Sequence, residues 1–315
     1  MRIAGMVLGA GAGSRLRPLT DTMAKPLVPV LDRPLVSYVL DHMAESGVRD
    51  VFVNLHHHAE EMDRALFARG GPLRIVTRVE PRLSGPAGAL RMFADELAGY
   101  EAVLVSSGDV FTLDGFNGLL ERHLRSGHDL TVAVTHRQRA RHFGVLDIDD
   151  RGQITGAREK PAVPDDEWHW ISAGVYCLSP ALIKNLPANR VYDFAADLVP
   201  DLLTRGQPVG TFPLPGYWQD VGTAASLREA NLAAVRSGVH IGAQAVLGPD
   251  VELRGSVVIG AGAKIGAHTW LEETVVLPGT VVAPHSVLVG ALVGSTAVSG
   301  APVHAPCEEK ATVTK

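Results

Sequence analysis

The last quarter of the chain divides into sixes. From Ile241 it runs IGAQAV, LGPDVE, LRGSVV, IGAGAK, IGAHTW, LEETVV, LPGTVV, APHSVL and VGALVG without a gap. Position one is Ile, Leu or Val in every six but APHSVL, and position two is mostly Gly or Pro. A period of six is the mark of a parallel β-helix, in which each six supplies one short flat strand and a turn. The aliphatic residue points inward, and Gly or Pro eases the turn. One coil cannot bury its own core, so coils must stack. Three sixes make a coil, and nine predict three coils. A Gly/Val-rich irregular segment would share the composition but not the phase. We expect a left-handed parallel β-helix over residues 237–298 and a loose tail over 299–315.

Residues 1–236 follow a different rule. Ile3–Leu8, Asp50–Leu55, Leu73–Arg78, Ala102–Ser106 and Leu130–Thr135 are short apolar runs that read as strands. Between them, Pro34–Glu45 and Glu60–Ala68 carry helical spacing, and a helix starts in Ala87–Phe93. Alternating strands and helices predict an α/β domain with a mostly parallel sheet covered on both faces. Ligands bind such sheets beyond the C-terminal ends of the strands. The opening glycine loop and Asp109 both stand at such ends.

Bulk properties exclude several classes. A net charge of -5 gives no reason to expect nucleic acid or an anionic membrane as partner. No apolar run nears the ~20 residues that span a bilayer. MRIAGMVLGAGAG reads as a strand entering a loop, not as a signal peptide. Cys177 and Cys307 stand far apart and make no metal pattern, which suits a reducing cytoplasm.

LGAGAGSRLRPLTDTMAKPLVPV, from Leu8 to Val30, holds the densest chemistry. Glycines let backbone N–H groups approach phosphate oxygens closely. GAGAG does not match the dinucleotide spacing, and the P-loop GK[ST] is absent. Gly9, Gly11 and Gly13 alone mark a phosphate cradle or merely a tight turn. Arg15 and Lys25 follow, and both can reach one polyphosphate.

At these residues the chain resembles the sugar-1-phosphate nucleotidylyltransferases, also called nucleotide-sugar pyrophosphorylases. LGAGAGSRLRPLT and AKPLVPVLDRPLV resemble the family signature. VEPRLSGPAGALR resembles its base-lining segment, and SSGDVF its Asp-containing strand end. FGVLDIDDRGQITGAREKP and ISAGVYCLSP resemble its sugar-binding strands, and GYWQDVGT its second Asp segment. The blocks stand in family order across residues 3–235. A β-helix after them is similar to the arrangement in mannose-1-phosphate guanylyltransferases and some glucose-1-phosphate nucleotidylyltransferases.

The resemblance implies a Rossmann-like mixed, mostly parallel sheet and an enzyme that joins a sugar 1-phosphate to a nucleoside triphosphate, expelling pyrophosphate. GTP with mannose 1-phosphate, or a related hexose, heptose or cyclitol 1-phosphate, is the preferred pair. Thymidylyl, adenylyl or uridylyl transfer to glucose 1-phosphate is the alternative, as is a non-catalytic relative that senses a nucleotide-sugar. By the same resemblance, Leu8, Gly9, Ala10, Gly11, Gly13 and Ser14 would cradle the nucleotide, with Gly85 and Gly88 against the base. Arg15 would hold the β and γ phosphates, and Lys25 would bridge the α-phosphate and the attacking phosphate. Asp109 and Asp220 would bind Mg²⁺ together. Gly144, Glu159, Lys160, Ser172 and Gly174 would receive the sugar phosphate. Taken singly, Asp109 also suits a turn, Asp220 a helix cap, and Lys160-Pro161 an ordinary loop. The physics agrees with the analogy: the nucleophile is already an anion, so the task is to join two polyanions and stabilise spreading charge.

Three positions depart from the family pattern. Ser107 and Ser172 replace Asn, and Pro86 replaces Thr. His56-His57-His58 point different ways on a strand or turn and make a poor metal site. Trp168, His169 and Trp170 would stack on a ring or pack against the β-helix. An acyl-transfer role for the β-helix would need His268 or His285 as base; homo-oligomer assembly is the expected role instead.

Overall fold

The computed structural model describes residues 2–188 and 190–294 and the backbone of Val298–Ser299. The expected tail otherwise lies outside these residues. The chain forms two compact units. One comprises Met1–Val28 and Pro34–Gly222, the other Pro29–Arg33 and Thr223–Lys315.

The first unit is built on strands β1 (Ile3–Leu8), β2 (Asp50–Leu55), β3 (Arg74–Val79), β4 (Ala102–Ser107), β5 (Val110–Thr112), β6 (Leu130–Arg137), β7 (Gly144–Ile148), β8 (Ile154–Glu159), β9 (His169–Leu178), β10 (Val209–Pro213) and β11 (Trp218–Asp220). The main sheet runs β8-β7-β9-β4-β1-β2-β3, with β6 beside β9 and β10 beside β6. β3, β2, β1 and β4 are parallel neighbours, as are β6 and β10. β9 runs antiparallel to β4, β6 and β7. The sheet is therefore mixed, with its parallel part on the side of β1, which leads into the glycine loop.

Alternation along β1 divides two cores. Ile3 and Val7 join α1 (Leu35–Glu45) and α2 (Ala59–Ala68) through Val36, Leu40, Met62 and Leu66. Ala4 and Met6 face Phe93, Leu97 and Tyr176 on the other side. Gly5 lets α1 press onto the sheet, since a Cβ there would stand 2.8 Å from Met43 Sδ. β4 is buried on both faces, as a central strand of a sheet covered on both sides must be.

In the second unit, α3 (Ala224–Val235) starts at a capping box between Thr223 and Ser226. The β-helix follows. Its first face stacks Val239–Ile241, Val257–Ile259, Val275–Val276 and Leu292–Val293. Its second stacks Val246–Leu247, Lys264–Ile265 and Val281–Val282, and its third Glu252–Arg254, Trp270–Glu272 and Val287–Val289. These strands pair in parallel, and Val298–Ser299 closes the first face antiparallel. This is the architecture expected of hexapeptide repeats in a left-handed β-helix.

The gapless phase does not hold. Val239 pairs with Val257, 18 residues on, but Val258 pairs with Val275 and Val275 with Leu292, each 17 on. The inward aliphatics are Ile259, Ile265 and Leu271, then Val276, Val282, Leu288 and Val293. Ala283 and Val289, which the sixes place inward, are exposed. The corner after Leu271 turns one residue sooner than the corner after Leu253. Glu273 (φ 45) takes the left-handed position that Gly255 (φ 62) holds one coil earlier. The longer corner's Ser256 N–H donates to Glu273 Oε1 at 3.0 Å. Apolar residues on both sides of the slip hide it from inspection: Val276 and Leu277 are both buried.

Candidate functional site

Everything in the site follows from which strands end side by side. β1 and β4 are neighbours with Leu8 opposite Ser107, and Gly108 N–H donates to Leu8 O at 3.0 Å. The glycine loop and Asp109 thus leave the sheet together. β5 then pairs antiparallel with β11, setting Asp220 opposite Val110, and Val221 N–H donates to Asp109 O at 2.9 Å. Two carboxylates far apart in sequence meet on one short ribbon.

The loop is shaped by contact. Gly9 N–H donates to Asn54 Oδ1 at 3.1 Å, and a Cβ at Gly9 would stand 2.9 Å from Asn54 O. Gly13 (φ 66) opens a short turn at Ser14–Leu16, and its carbonyl accepts from Leu16 N–H and Thr20 Oγ1, both at 2.8 Å. Gly11 lies 3.9 Å from the Lys25 stem, measured from the place of its missing Cβ. Lys25 is 8% exposed and its ammonium pairs with Asp109. Arg15 and Asp220 converge on Gly222: from a Cβ built there, Arg15 Nη2 lies 3.0 Å away and Asp220 Oδ2 3.1 Å.

Electrostatics follow burial and proximity. Burial works against the Lys25 charge, but Asp109 and Asp220 outweigh it and hold the ammonium above its usual range. Burial, then the like charge of Asp109, pushes the Asp220 carboxyl up to about 6. A pair of carboxylates under such mutual repulsion suits a hard divalent cation, which relieves it. Asp109 and Asp220 therefore fit a metal.

A pocket of about 250 Å³ adjoins the loop, lined by Leu8, Ala10, Gly11, Leu83, Gly85, Pro86 and Asp109 among others. Gly85 (φ 84) abuts the Tyr192 carbonyl at 2.6 Å from where a Cβ would be. Ala87 and Gly88 N–H both donate to that carbonyl at 3.0 Å. Gly88 itself is buried beneath Ser84, behind the pocket wall. A larger cleft of about 810 Å³ beside Arg122, Arg125 and Arg151 contains none of the expected site residues.

At the other end, Gly144 lies opposite Glu159 in the β7–β8 pair. A Cβ at Gly144 would stand 2.7 Å from Ala195 Cβ and 3.2 Å from Glu159 Oε2. Lys160 Nζ pairs with Glu159 Oε1 at 2.7 Å. Ser172 Oγ hydrogen-bonds Tyr176 OH at 2.8 Å. Between those two residues the β6–β9 register slips, and Gly174 (φ 72) approaches Ser107 Oγ to 3.2 Å from its absent Cβ. That bulge joins this group to the Asp109 end.

The nucleotidyl transferase family profile matches residues 4–237, and a hexapeptide profile matches six repeats over residues 238–273. The chain belongs to the nucleotidyl transferase family. It is similar to a UTP–glucose-1-phosphate uridylyltransferase of Synechocystis, 28% identical over 81% of this chain and 73% of that one. It is also similar to a Sulfolobus acidocaldarius protein provisionally named mannose-1-phosphate guanyltransferase, 30% identical over 73% of this chain and 62% of that one. The fold matches a Bacillus anthracis crystal structure provisionally titled glucose-1-phosphate thymidylyltransferase, with TM-score 0.65, 24% identity, and 74% of this chain and 95% of that one covered. The chain is an enzyme of the sugar-1-phosphate nucleotidyltransferase class, a family that generally uses divalent metal ions. Among the described residues no helix is long and apolar enough to cross a membrane.

In this nucleotidyl transferase, sequence reading missed several residues that build the site. Asn54 and Glu80 are each 3% exposed. Glu80 accepts from Asn54 Nδ2 at 2.9 Å and from Ser84 N–H at 2.7 Å, tying the glycine loop to the pocket wall. The only sequence signal was a polar residue inside the apolar DVFVNL run. Tyr176, stacked on Phe194 at 3.7 Å with its hydroxyl beside Ser172, was also missed; burial pushes its hydroxyl pKa up. Two of the three histidines serve the backbone: His56 Nδ1 lies 2.7 Å from Glu80 O and His58 Nε2 3.3 Å from Thr20 O, while the His57 ring packs edge-on against that of His58. Trp168 and Trp170 both pack on His136, with ring centroids 5.3 and 4.8 Å away. His268 and His285 stack at 5.0 Å on one β-helix corner, both exposed.

Proposed function

We propose that the protein transfers a guanylyl group from GTP to mannose 1-phosphate or a closely related hexose, heptose or cyclitol 1-phosphate, in the presence of Mg²⁺. The observation that carries the reaction is the meeting of Arg15, Lys25, Asp109 and Asp220 beside the Gly9–Gly13 loop. The preference for guanine draws support from the name of the Sulfolobus relative and from the KPL form of the lysine motif.

The attacking phosphate is an anion already, so no side chain need take a proton. Backbone N–H groups of Gly11 and Gly13 face the triphosphate, while Gly9, its own N–H held by Asn54 Oδ1, lets the chain pass close, with Leu8, Ala10 and Ser14 completing the loop. Arg15 neutralises the β and γ phosphates and stabilises the leaving pyrophosphate. Lys25 exchanges its Asp109 partner for phosphate oxygens and holds donor and acceptor together. Asp109 and Asp220 would hold the Mg²⁺, which supplies positive charge to phosphate oxygens when bound. The base enters the pocket at Gly85, with Gly88 supporting that wall. Glu159 takes sugar hydroxyls, Lys160 the sugar phosphate, and Ser172 with Gly144 and Gly174 shapes the ring site.

A homo-oligomer through the β-helix belongs to the same reading, set in the cytoplasm. Its open first strand exposes Val239 (45%) and Ile241 (50%), and its second face exposes Val246 (57%) and Val281 (70%).

The test is pyrophosphate release with Mg²⁺ across the common nucleoside triphosphates and mannose, glucose, heptose and cyclitol 1-phosphates. Release with GTP and mannose 1-phosphate, or a related hexose, heptose or cyclitol 1-phosphate, is expected. Release with UTP, dTTP or ATP and glucose 1-phosphate replaces the substrate assignment and leaves the site intact. Binding of a nucleotide-sugar with no release from any pair overturns the catalytic reading in favour of a sensor.

A further inference from the structure

The cleft of about 810 Å³ is larger than the pocket of about 250 Å³ beside the glycine loop, and the two share no residue. It lies wholly within the first unit. Three elements build it. The helix Asn117–Ser126 presents Gly118, Arg122 and Arg125, whose spacings of four and three make one helical face. β10 supplies Thr211 and Phe212, and the turn between β7 and β8 supplies Arg151 and Gly152.

The walls are held by the protein's own bonds. Gly118 lets Phe212 cross beneath the helix, since a Cβ there would stand 2.5 Å from Phe212 Cζ. Thr211 N–H and Oγ1 both donate to Gly152 O, at 3.0 and 2.8 Å. Asp149 Oδ1 accepts Arg151 N–H at 3.0 Å and Gln153 N–H at 2.8 Å, and Gly152 (φ 76) closes the turn. Arg151 therefore rides on a fixed backbone.

The charges in the cleft do not cancel. Arg125 is spent on Glu121, which its Nη2 meets at 2.9 Å. Arg122 and Arg151 have no carboxylate partner among the described residues. Arg122 reaches across to the turn, with Nη2 3.6 Å from the place of a Cβ at Gly152. Two free guanidinium groups from different elements thus share one hollow. Against the three arginines the lining sets only Glu121 and Asp150, so it is positive before His128 is counted.

His128 adds a donor. Its Nδ1 is sealed from solvent without a partner among the described residues, 2.6 Å from where a Cβ at Gly210 would stand. No acceptor is there for an Nδ1 proton, so in the neutral ring the proton belongs on Nε2, which is not sealed. Guanidinium and imidazole N–H groups around a hollow match phosphate oxygens. Asp150 and the Gln153 amide beside them suit hydroxyl groups.

We infer that this cleft is a second anion site, which takes a small phosphorylated molecule on Arg122, Arg151 and His128. It shares no residue with the reaction centre, and it depends on no assignment of the nucleotide or the sugar.

The experiment uses the full chain without added metal. Phenylglyoxal labelling of arginines is followed residue by residue by mass spectrometry, with exposed Arg205 as reference. The probes are inorganic pyrophosphate and glucose 6-phosphate, each against potassium chloride at matched ionic strength. Labelling of Arg122 and Arg151 should slow about fivefold against Arg205 at roughly four times Kd. Binding at the reaction centre reports separately, on Arg15. In Arg151→Gln, an exposed position, protection of Arg122 should be lost while that of Arg15 persists. Protection by glucose 6-phosphate alone supports the site and makes its ligand a sugar phosphate. Protection by pyrophosphate, with or without the sugar phosphate, supports the site and rests it on the phosphate groups. No protection of Arg122 and Arg151 by either probe overturns the inference, as does equal protection by potassium chloride. Protection of Arg122 that survives unchanged in Arg151→Gln also overturns it.

Discussion

Val282 lies beside Ile265 because one stands 17 residues after the other in a coil. Asp109 lies beside Asp220 because two distant strands pair. The β-helix applies one local rule repeatedly, so each contact has copies above or below it. The catalytic unit assembles its site from β1, β4, β5 and β11 once each, with no copies. Repetition tolerates a fault and convergence does not. The two regions should therefore fail differently when single residues are changed.

The largest effect should come from breaking the convergence. Asp109→Ala and Lys25→Ala should each lower pyrophosphate release by about a thousandfold, the scale of losing a positioned charge in a dry site. The thermal midpoint should stay close to wild type. In the β-helix the reverse should hold. Leu271→Ala removes a fully buried side chain and should cost about 3 kcal/mol in urea unfolding, with kcat unchanged below the transition.

Smaller effects sharpen the contrast inside the site. Gly85→Ala sets a side chain against the Tyr192 carbonyl and should raise the nucleotide KM about tenfold, as seen in initial-rate kinetics. Divalent-cation affinity should depend on pH through Asp220, whose carboxyl is raised to about 6. Below that pH the carboxyl holds a proton that the cation must displace, so affinity by calorimetry should fall about tenfold per pH unit. Above it, affinity should level off. The smallest effect is expected at Glu273→Ala, which frees the Ser256 N–H toward solvent and should cost about 1 kcal/mol.

The same contrast explains what could be read from the chain. Strand ends such as Leu8 and Ser107 show as abrupt changes from apolar runs to glycine, and the motif residues follow at once. The β-helix shows through its period. Its phase slip did not, because Val276 and Leu277 serve an aliphatic pattern equally well. Asn54, Glu80 and Tyr192 escaped notice because their work is done on backbone groups of other segments, and no spacing records that. Asp32, whose Oδ1 accepts Ala261 N–H at 2.7 Å, escaped for the same reason.

The shortened corner also decides what could be grafted. Glu273 and Gly290 turn at the same edge of successive coils and both take the short form, while the Gly255 corner one coil earlier keeps the extra residue. A duplicate laid above Leu271 would have to arrive as a module of 17 residues, and one laid below it as 18. A designer lengthening this rod by the six-residue motif alone would rotate every later side chain out of its layer.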